Sequence, residues 1–231
     1  MTTPPVPPHK MHYHQLLIGF NHHLECRNVL AFAAQVAQVA QVDLAGVFVE
    51  DQELLDLARL PFSSEILSAS GQTRNLDIHR VESDLRAIAL GMQEALRKLA
   101  EQARRRYSFR TVRGHLLREL IAQADAGDLI LLRTGNDAWR RTRPGAAALR
   151  GPVVLLQTQA GENGNLLGLA REIASSLNLD MTIQKNYSGP EMLRTLNAGL
   201  IIAPASLFSA PGEDIDRFAE AACAPVLMVP V

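Results

Sequence analysis

The chain has 231 residues, of which 47% are hydrophobic, with 23 Lys and Arg against 24 Asp and Glu and a net charge of −1. This composition is typical of a globular protein with a buried core, and it excludes collagen-like, disulfide-rich and intrinsically disordered chains. Nucleic acids and anionic membranes attract clustered Lys and Arg, so the balanced charge argues against both as partners. No apolar stretch reaches the ~18 residues that a transmembrane helix needs.

The N-terminal residues and the cysteines bear on location. Residues 1–8 contain four prolines and no apolar segment, so residues 1–14 are predicted to form a disordered leader and not a signal peptide. Cys26 and Cys223 lie among apolar, helix-type residues, as expected for buried thiols in a reducing compartment. The loosely spaced histidines of the leader predict no metal site. We therefore expect a cytoplasmic protein.

Strand and helix patterns alternate from residue 16 onward. Residues 16–20 form a short apolar run typical of a buried strand, and residues 43–49 return to a strand pattern. Between them, apolar residues at three- and four-residue spacing predict a helix over residues 26–41. A strand, a helix and a strand in this order form a βαβ unit, in which a right-handed crossover joins two parallel strands.

The same alternation continues toward the C-terminus. A short helix over residues 54–60 ends at Pro61, a surface loop follows over residues 63–75, and a long helix is predicted over residues 83–105. Further strands are predicted over residues 109–112, 128–132 and 153–156, with a helix over residues 116–124. The pattern predicts a doubly wound α/β fold.

The C-terminal part repeats earlier sequence at a nearly constant offset. Residues 128–132 and 199–203 differ by 71 positions, residues 109–112 and 181–184 by 72, and residues 151–154 and 224–227 by 73. This tandem repeat predicts a complete α/β domain over residues 15–157 and a truncated second α/β repeat over residues 158–231. The alternative is that these matches are not a repeat, because similar apolar strands occur in any α/β protein.

Several of these segments carry a family resemblance. Residues 109–135 (FRTVRGHLLRELIAQADAGDLILLRTG), together with LLIGF at 16–20, AGVFVED at 45–51 and APVLMVP at 224–230, resemble the universal stress protein family. The resemblance implies a parallel five-stranded sheet with strand order 3-2-1-4-5, followed here by the partial C-terminal repeat. Ligands of such sheets bind where the strand order reverses. That crevice is expected between the ends of the first and fourth strands, at residues 21–23 and 134–137.

The ATP-binding branch of that family has an Asp after the first strand and a Gly-xx-Gly-x9-Gly-Ser/Thr loop after the fourth, whose backbone N–H groups contact phosphates. Here Asn21 stands at the Asp position, and only Gly135 and Gly145 keep the loop spacing. Leu132 replaces the first glycine and Ala146 replaces the hydroxyl residue. The departures predict that adenine-nucleotide binding is weakened or lost.

Arginines nevertheless surround this loop, and guanidinium groups can hold phosphate without a glycine loop. The alternative is a solvated Arg-rich loop. The arginines are Arg133, Arg140, Arg141, Arg143 and Arg150. The nucleotide-binding positions that the resemblance implies, with ATP or AMP as ligand, are Asn21, His22, Val49, Gly114, Gly135, Asn136, Arg140, Arg141 and Gly145.

Other polar residues near the expected crevice have two interpretations. Glu50 and Asp51 leave the second strand and could meet a ribose hydroxyl, or they could form a solvated strand end. His22 and His23 could contact a ligand or belong to a polar loop. Asp128, before the fourth strand, is interpreted as a turn or capping residue.

The sequence contains no G-x-S-x-G, C-x-x-C, H-E-x-x-H or G-K-[ST] motif, so we do not expect an enzyme. We predict a non-catalytic stress-response or regulatory protein. The alternatives are an ATP- or AMP-binding protein that uses the Arg-rich loop, including a slow phosphatase or transferase, and an interaction module without a ligand.

The family resemblance also implies a homodimer. The apolar final strand, residues 226–230, favours this because it would leave an exposed sheet edge if unpaired. The alternative is that the two copies pair within one chain.

Overall fold

The computed structural model describes residues 13–21, 27–66, 71–132, 151–157, 164–207 and 213–230. In these ranges the strands are β1 (Gln15–Phe20), β2 (Asp43–Asp51), β3 (Ser64–Ile66), β4 (Thr73–Asn75), β5 (Tyr107–Gly114), β6 (Leu129–Leu132), β7 (Val153–Leu156), β8 (Met181–Gln184), β9 (Leu200–Pro204) and β10 (Val226–Val229). The helices are α1 (Arg27–Ala40), α2 (Gln52–Arg59), α3 (Ile78–Ala103), α4 (Leu116–Ala122), α5 (Gly164–Leu177), α6 (Pro190–Leu193) and α7 (Glu213–Ala221).

One sheet of eight strands organises the molecule, in the order β5-β2-β1-β6-β10-β9-β7-β8. We call β5-β2-β1-β6 the N-terminal half and β10-β9-β7-β8 the C-terminal half. All pairings within each half are parallel. The halves are joined by the antiparallel pairing of β6 with β10. The carboxyl ends of the two sets of strands therefore lie at opposite edges of the sheet.

The α/β class and the mostly parallel sheet are confirmed. The first four strands follow the predicted order 3-2-1-4, as β5-β2-β1-β6, but the predicted fifth strand does not pair beside β6, and the sheet has eight strands instead of five. Residues 153–156 form β7, which pairs with β8 and β9. The place beside β6 is taken by β10. Both candidate strands are four-residue runs buried throughout, VVLL and VLMV, so apolar pattern alone could not distinguish them.

The two halves reverse strand order in the same way. In the N-terminal half β1 has β2 on one side and β6 on the other, and in the C-terminal half β7 has β8 on one side and β9 on the other. β7 therefore resembles β1 in topology, although the sequence offset aligned it with β10. The domain boundary at residues 157–158 and the truncated repeat remain predictions, and residues 1–12 of the predicted leader lie outside the described ranges.

Side chains alternate between two helical layers because successive strand residues point to opposite faces of a sheet. Leu16, Ile18 and Phe20 face one core, which α1, α3 and α5 cover. Leu17 faces the other core, to which α4, α6 and α7 contribute. Strands covered on both faces become continuous apolar runs, which is why β1, β6, β7, β9 and β10 were recognisable in the sequence.

Two predicted segments differ from the structure. The long helix α3 begins at Ile78, five positions before the predicted residue 83. Asp77 is its N-cap, and the Asp77 side chain accepts a hydrogen bond from the backbone N–H of His79 at 3.1 Å. Asp is a preferred N-cap residue, so this start was visible in the sequence. The predicted surface loop over residues 63–75 contains the antiparallel pair β3–β4.

The final apolar strand is not an edge. β10 pairs with β6 on one side and β9 on the other, and its four residues are buried. The argument for a dimer from an exposed edge at residues 226–230 is therefore wrong, and this strand is paired within the chain. The homodimer itself remains a prediction. None of the helices in the described ranges is long and apolar enough to cross a membrane.

Gly46 in β2 lies where the strand, α3 and β5 approach closely. A Cβ built on Gly46 would lie 2.7 Å from both Leu96 Cδ2 and Phe109 Cδ2, which is well inside ordinary van der Waals contact. Gly91 in α3 is the opposite case, because nothing in the described structure lies within 4 Å of a Cβ built there.

We predict that Gly46→Ala lowers the free energy of unfolding by about 1–3 kcal/mol, because the added methyl overpacks this contact. The control Gly91→Ala should raise it by roughly 0.5–1 kcal/mol, since alanine favours a helix interior over glycine. Urea denaturation of the three proteins measures both effects. Equal stability of Gly46→Ala and the unsubstituted protein would contradict the packing described here.

Candidate functional site

The candidate site is the carboxyl edge of the N-terminal half. β1 and β6 are paired in parallel with Ile18 opposite Leu131, so their carboxyl ends lie side by side. β2 lies on the other side of β1, which makes the β1–β6 boundary the point where strand order reverses. Open α/β sheets bind ligands at such points.

Three predicted nucleotide-binding residues lie in the described structure. Asn21 directly follows β1, Val49 lies near the end of β2, and Gly114 ends β5. The pairing of Asp51 with Gly114 brings the ends of β2 and β5 to the same edge. The Val49 side chain is only 1% exposed and belongs to the core beneath α4, so it packs against protein.

The remaining predicted site residues lie outside the described ranges. They are His22, Gly135, Asn136, Arg140, Arg141 and Gly145, with the neighbouring His23 and the rest of residues 133–150.

Gly114 is favoured by its backbone conformation, and a neighbouring carboxylate lies against it. Its φ of +151° is a conformation that residues with a side chain rarely adopt. A Cβ built on Gly114 would lie 2.5 Å from Oε1 of Glu119 in α4. The space that glycine leaves open is therefore occupied by Glu119, and an anion approaching Gly114 would meet a carboxylate.

Glu50 forms an ion pair across the β2–β5 ladder. It lies opposite Arg113, whose Nη2 and Nε donate to Glu50 Oε2 at 2.9 and 3.2 Å. Arg113 Nη2 also lies 3.6 Å from Glu82 Oε1 in α3. The Glu50 side chain is 13% exposed, so this guanidinium balances a largely buried charge and joins β2, β5 and α3.

Asp51 begins α2. Its side chain accepts hydrogen bonds from the backbone N–H groups of Glu53 at 2.9 Å and Leu54 at 3.5 Å. This is the role of an N-cap residue, which satisfies donors that have no partner within the helix. The sequence offered two interpretations of Glu50 and Asp51, a solvated strand end and a ribose contact. The structure supports neither of them, because both carboxylates hold protein groups.

Sequence reasoning missed Arg113 and Glu82. Glu50 and Arg113 are 63 positions apart, and only the register of β2 against β5 makes them neighbours. Asp128, interpreted from sequence as a turn residue, does accept a hydrogen bond from the backbone N–H of Asp125 at 2.9 Å. Its almost complete burial had no sequence signal. The described residues contain no group of three or more His, Cys, Asp or Glu side chains suited to a metal ion.

We predict that Arg113→Ala lowers the free energy of unfolding by about 1 kcal/mol, because Glu50 loses its partner while it stays largely buried. The control is Arg86→Ala, since Arg86 lies 3.9 Å from the same Glu82 but is 72% exposed. Its effect should stay below about 0.5 kcal/mol. Chemical denaturation at low and high salt compares the two, and equal effects would contradict a structural role for the Glu50–Arg113 pair.

Comparisons with known proteins bear on the fold. No protein-family model matches the chain, and no curated protein sequence matches it significantly. Among solved structures, a universal stress protein from Archaeoglobus fulgidus DSM 4304 aligns over 93% of this chain and 95% of its own, with 10% identity and a TM-score of 0.50. A putative universal stress protein from Pseudomonas aeruginosa UCBPP-PA14 aligns over 95% and 94%, with 11% identity and a TM-score of 0.47.

The alignment with the Archaeoglobus protein extends over nearly the whole of both chains. The predicted resemblance is therefore confirmed at the level of the fold: this chain is an α/β protein with the fold of a universal stress protein.

Proposed function

We propose that this chain is a non-catalytic stress-response or regulatory protein of the cytoplasm, in which adenine-nucleotide binding is weakened or lost. The observation that carries the proposal is the use of the carboxyl edge by the protein itself. Glu50 pairs with Arg113, Asp51 caps α2, and Glu119 fills the space beside Gly114. The universal stress protein fold supports the functional class.

The charge of this edge is also unfavourable for phosphate. The described residues place the carboxylates of Glu50, Asp51, Glu82 and Glu119 there, against the guanidinium of Arg113 and that of Arg86, which lies 3.9 Å from Glu82. Like charges a few ångströms apart repel, and the repulsion grows where water is excluded. A nucleotide would have to obtain its phosphate contacts from residues beyond this set.

The second candidate is an ATP- or AMP-binding protein that uses the Arg-rich residues 133–150. One observation favours it: β6 ends at the β1–β6 boundary, where ligands of such sheets bind, and the Arg-rich residues follow β6 directly in sequence. Bidentate guanidinium contacts hold phosphate strongly. In this case the arginines would have to outweigh the neighbouring carboxylates.

A non-catalytic role is consistent with the environment of Cys223. Its thiol is half-buried and donates a hydrogen bond to the carbonyl oxygen of Leu196 at 2.8 Å. Cys223 therefore acts as a packing residue.

We predict no thermal shift when ATP, AMP or cyclic AMP is added at millimolar concentration. A nucleotide bound with a Kd near 1 μM would instead stabilise the protein by about 2.7 kcal/mol at a hundredfold excess over Kd, and such a gain would contradict the proposed loss of binding. Calorimetry measures the affinity directly.

The same titration distinguishes the second candidate. If a nucleotide binds, Arg140→Ala/Arg141→Ala should abolish the binding. The control Arg171→Ala/Arg217→Ala removes the same charge from exposed positions on α5 and α7 and should leave the affinity unchanged. Loss of binding in both double variants would point to a general charge effect and not to the loop.

We also propose that the chain forms a homodimer, with one apolar surface patch as the contact. The patch consists of Leu57, Leu60, Phe62 and Ile66, all exposed, and Phe62 is 95% exposed. These side chains lie at the end of α2, in the turn that follows it and in β3. Contiguous exposed apolar residues commonly mark interaction surfaces.

Light scattering should give a mass of about twice that of the 25.3 kDa chain. Phe62→Ser should shift it to the monomer, because it removes the largest apolar contact. Leu90→Ser changes an exposed leucine on α3, outside the patch, and should leave the dimer intact. A monomeric unsubstituted protein would contradict the dimer, and a dimeric Phe62→Ser protein would contradict the patch.

A further inference from the structure

A cavity of about 330 Å³ lies at the junction of the two halves. Because β6 and β10 are antiparallel, the amino end of β6 and the carboxyl end of β10 meet at the same edge of the sheet. The end of α4, the start of α7 and Ala205 complete the walls. This edge is opposite the carboxyl edge of the N-terminal half, so the cavity is separate from the site discussed above. Its volume suits a small organic molecule.

The walls are apolar apart from two carboxylates. Ile121, Ile130 and Met228 are among the apolar lining residues, and Asp125 and Asp128 are the charged ones that the described structure contributes. No Lys or Arg of the described residues lines the cavity. The electrostatic potential in such a space favours a cation and disfavours an anion.

Asp128 is the unusual residue of the cavity, because its side chain is a carboxylate with 3% exposure. Its Oδ2 accepts hydrogen bonds from Gln15 Nε2 and from the backbone N–H of Asp125, both at 2.9 Å. Its Oδ1 is buried and has no hydrogen-bond donor in the described part of the chain. An unsatisfied buried carboxylate oxygen is costly and is rare in native proteins.

We propose that this cavity binds a small organic cation, a primary ammonium with an apolar body. The ammonium donates to Asp128 Oδ1, forming the charge-assisted hydrogen bond that this oxygen lacks. The apolar body packs against the isoleucine and methionine side chains, which removes apolar surface from water. Asp128 lines the cavity, but its Oδ1 is covered in this structure, so binding includes a small rotation of the Asp128 side chain that brings Oδ1 to the cavity surface.

A metal ion fits these residues less well. Hard cations such as Ca²⁺ take six or more oxygen ligands, and the described walls offer two carboxylates in otherwise apolar surroundings. A single ammonium needs fewer acceptors, and its carbon skeleton uses the apolar walls.

Benzylamine is the probe that tests the proposal on the full chain, with benzyl alcohol and benzoate as neutral and anionic analogues. Calorimetry should show saturable binding of benzylamine and none of the two analogues. Asp128→Asn should weaken benzylamine binding by about tenfold or more, since the charge partner is lost. The asparagine keeps an oxygen that can accept from Gln15 and Asp125, and a melting curve checks its folding.

A second variant keeps the test independent of the stability of Asp128→Asn. Ala205→Leu fills the cavity while Asp128 stays intact and should also abolish binding. The control Gly168→Ala lies on α5, where nothing is within 4 Å of an added Cβ, and should bind benzylamine normally. Equal affinity for Asp128→Asn and the unsubstituted protein, binding of benzyl alcohol as strong as that of benzylamine, or no benzylamine binding at millimolar concentration would each overturn the proposal.

Discussion

The antiparallel pairing of β6 with β10 determines how the rest of this molecule is assembled. Each half is a set of four parallel strands, and each would otherwise end in a short apolar strand with unpaired backbone groups. These two strands, β6 and β10, pair with each other, with Leu131 opposite Leu227. Backbone N–H and C=O groups in an apolar interior require hydrogen-bond partners. The β6–β10 pairing supplies these partners to the last strand of each half. It also fixes the strand directions. The points at which strand order reverses in the two halves therefore lie at opposite edges of the sheet.

The two cores are continuous across this joint. On one face α1 packs against both α3 and α5, so a helix of the N-terminal half also covers the C-terminal half. The core on that face includes buried residues of β1, β2, β6, β7, β9 and β10, and the core on the other face joins α4 to α6 and α7. Apolar burial therefore extends over both halves, and neither core belongs to one half alone.

Local patterns predicted the elements well and their partners less well. The β1–α1–β2 unit could be predicted from an apolar run, a helical periodicity and a second apolar run, because a few consecutive residues determine each of these patterns. No local pattern identified the strand that pairs with β6, because VVLL in β7 and VLMV in β10 are equally apolar. A parallel or antiparallel choice between such strands depends on tertiary contacts.

The candidate site shows the same difference between local patterns, which the sequence contains, and tertiary contacts, which it does not. Asn21 and Gly114 lie at the carboxyl edge of the N-terminal half, because Asn21 follows β1 and Gly114 ends β5. Val49 was predicted to contact a ligand, yet alternation along β2 directs it into the core beneath α4. Glu50 and Arg113 meet only through the register of two strands. The Asp128 cavity exists only because β10 runs antiparallel to β6, a relation that the sequence pattern did not contain.

The order of synthesis gives the β6–β10 joint a further consequence. The ribosome completes β6 long before it reaches β10, so the nascent N-terminal half carries the LILL strand with β1 on one side and an open edge on the other. Open apolar edges recruit strands from other chains, and non-local pairings form late. The interval needed to translate the C-terminal half is therefore the period in which a nascent chain is most exposed to misassociation or to capture by a chaperone.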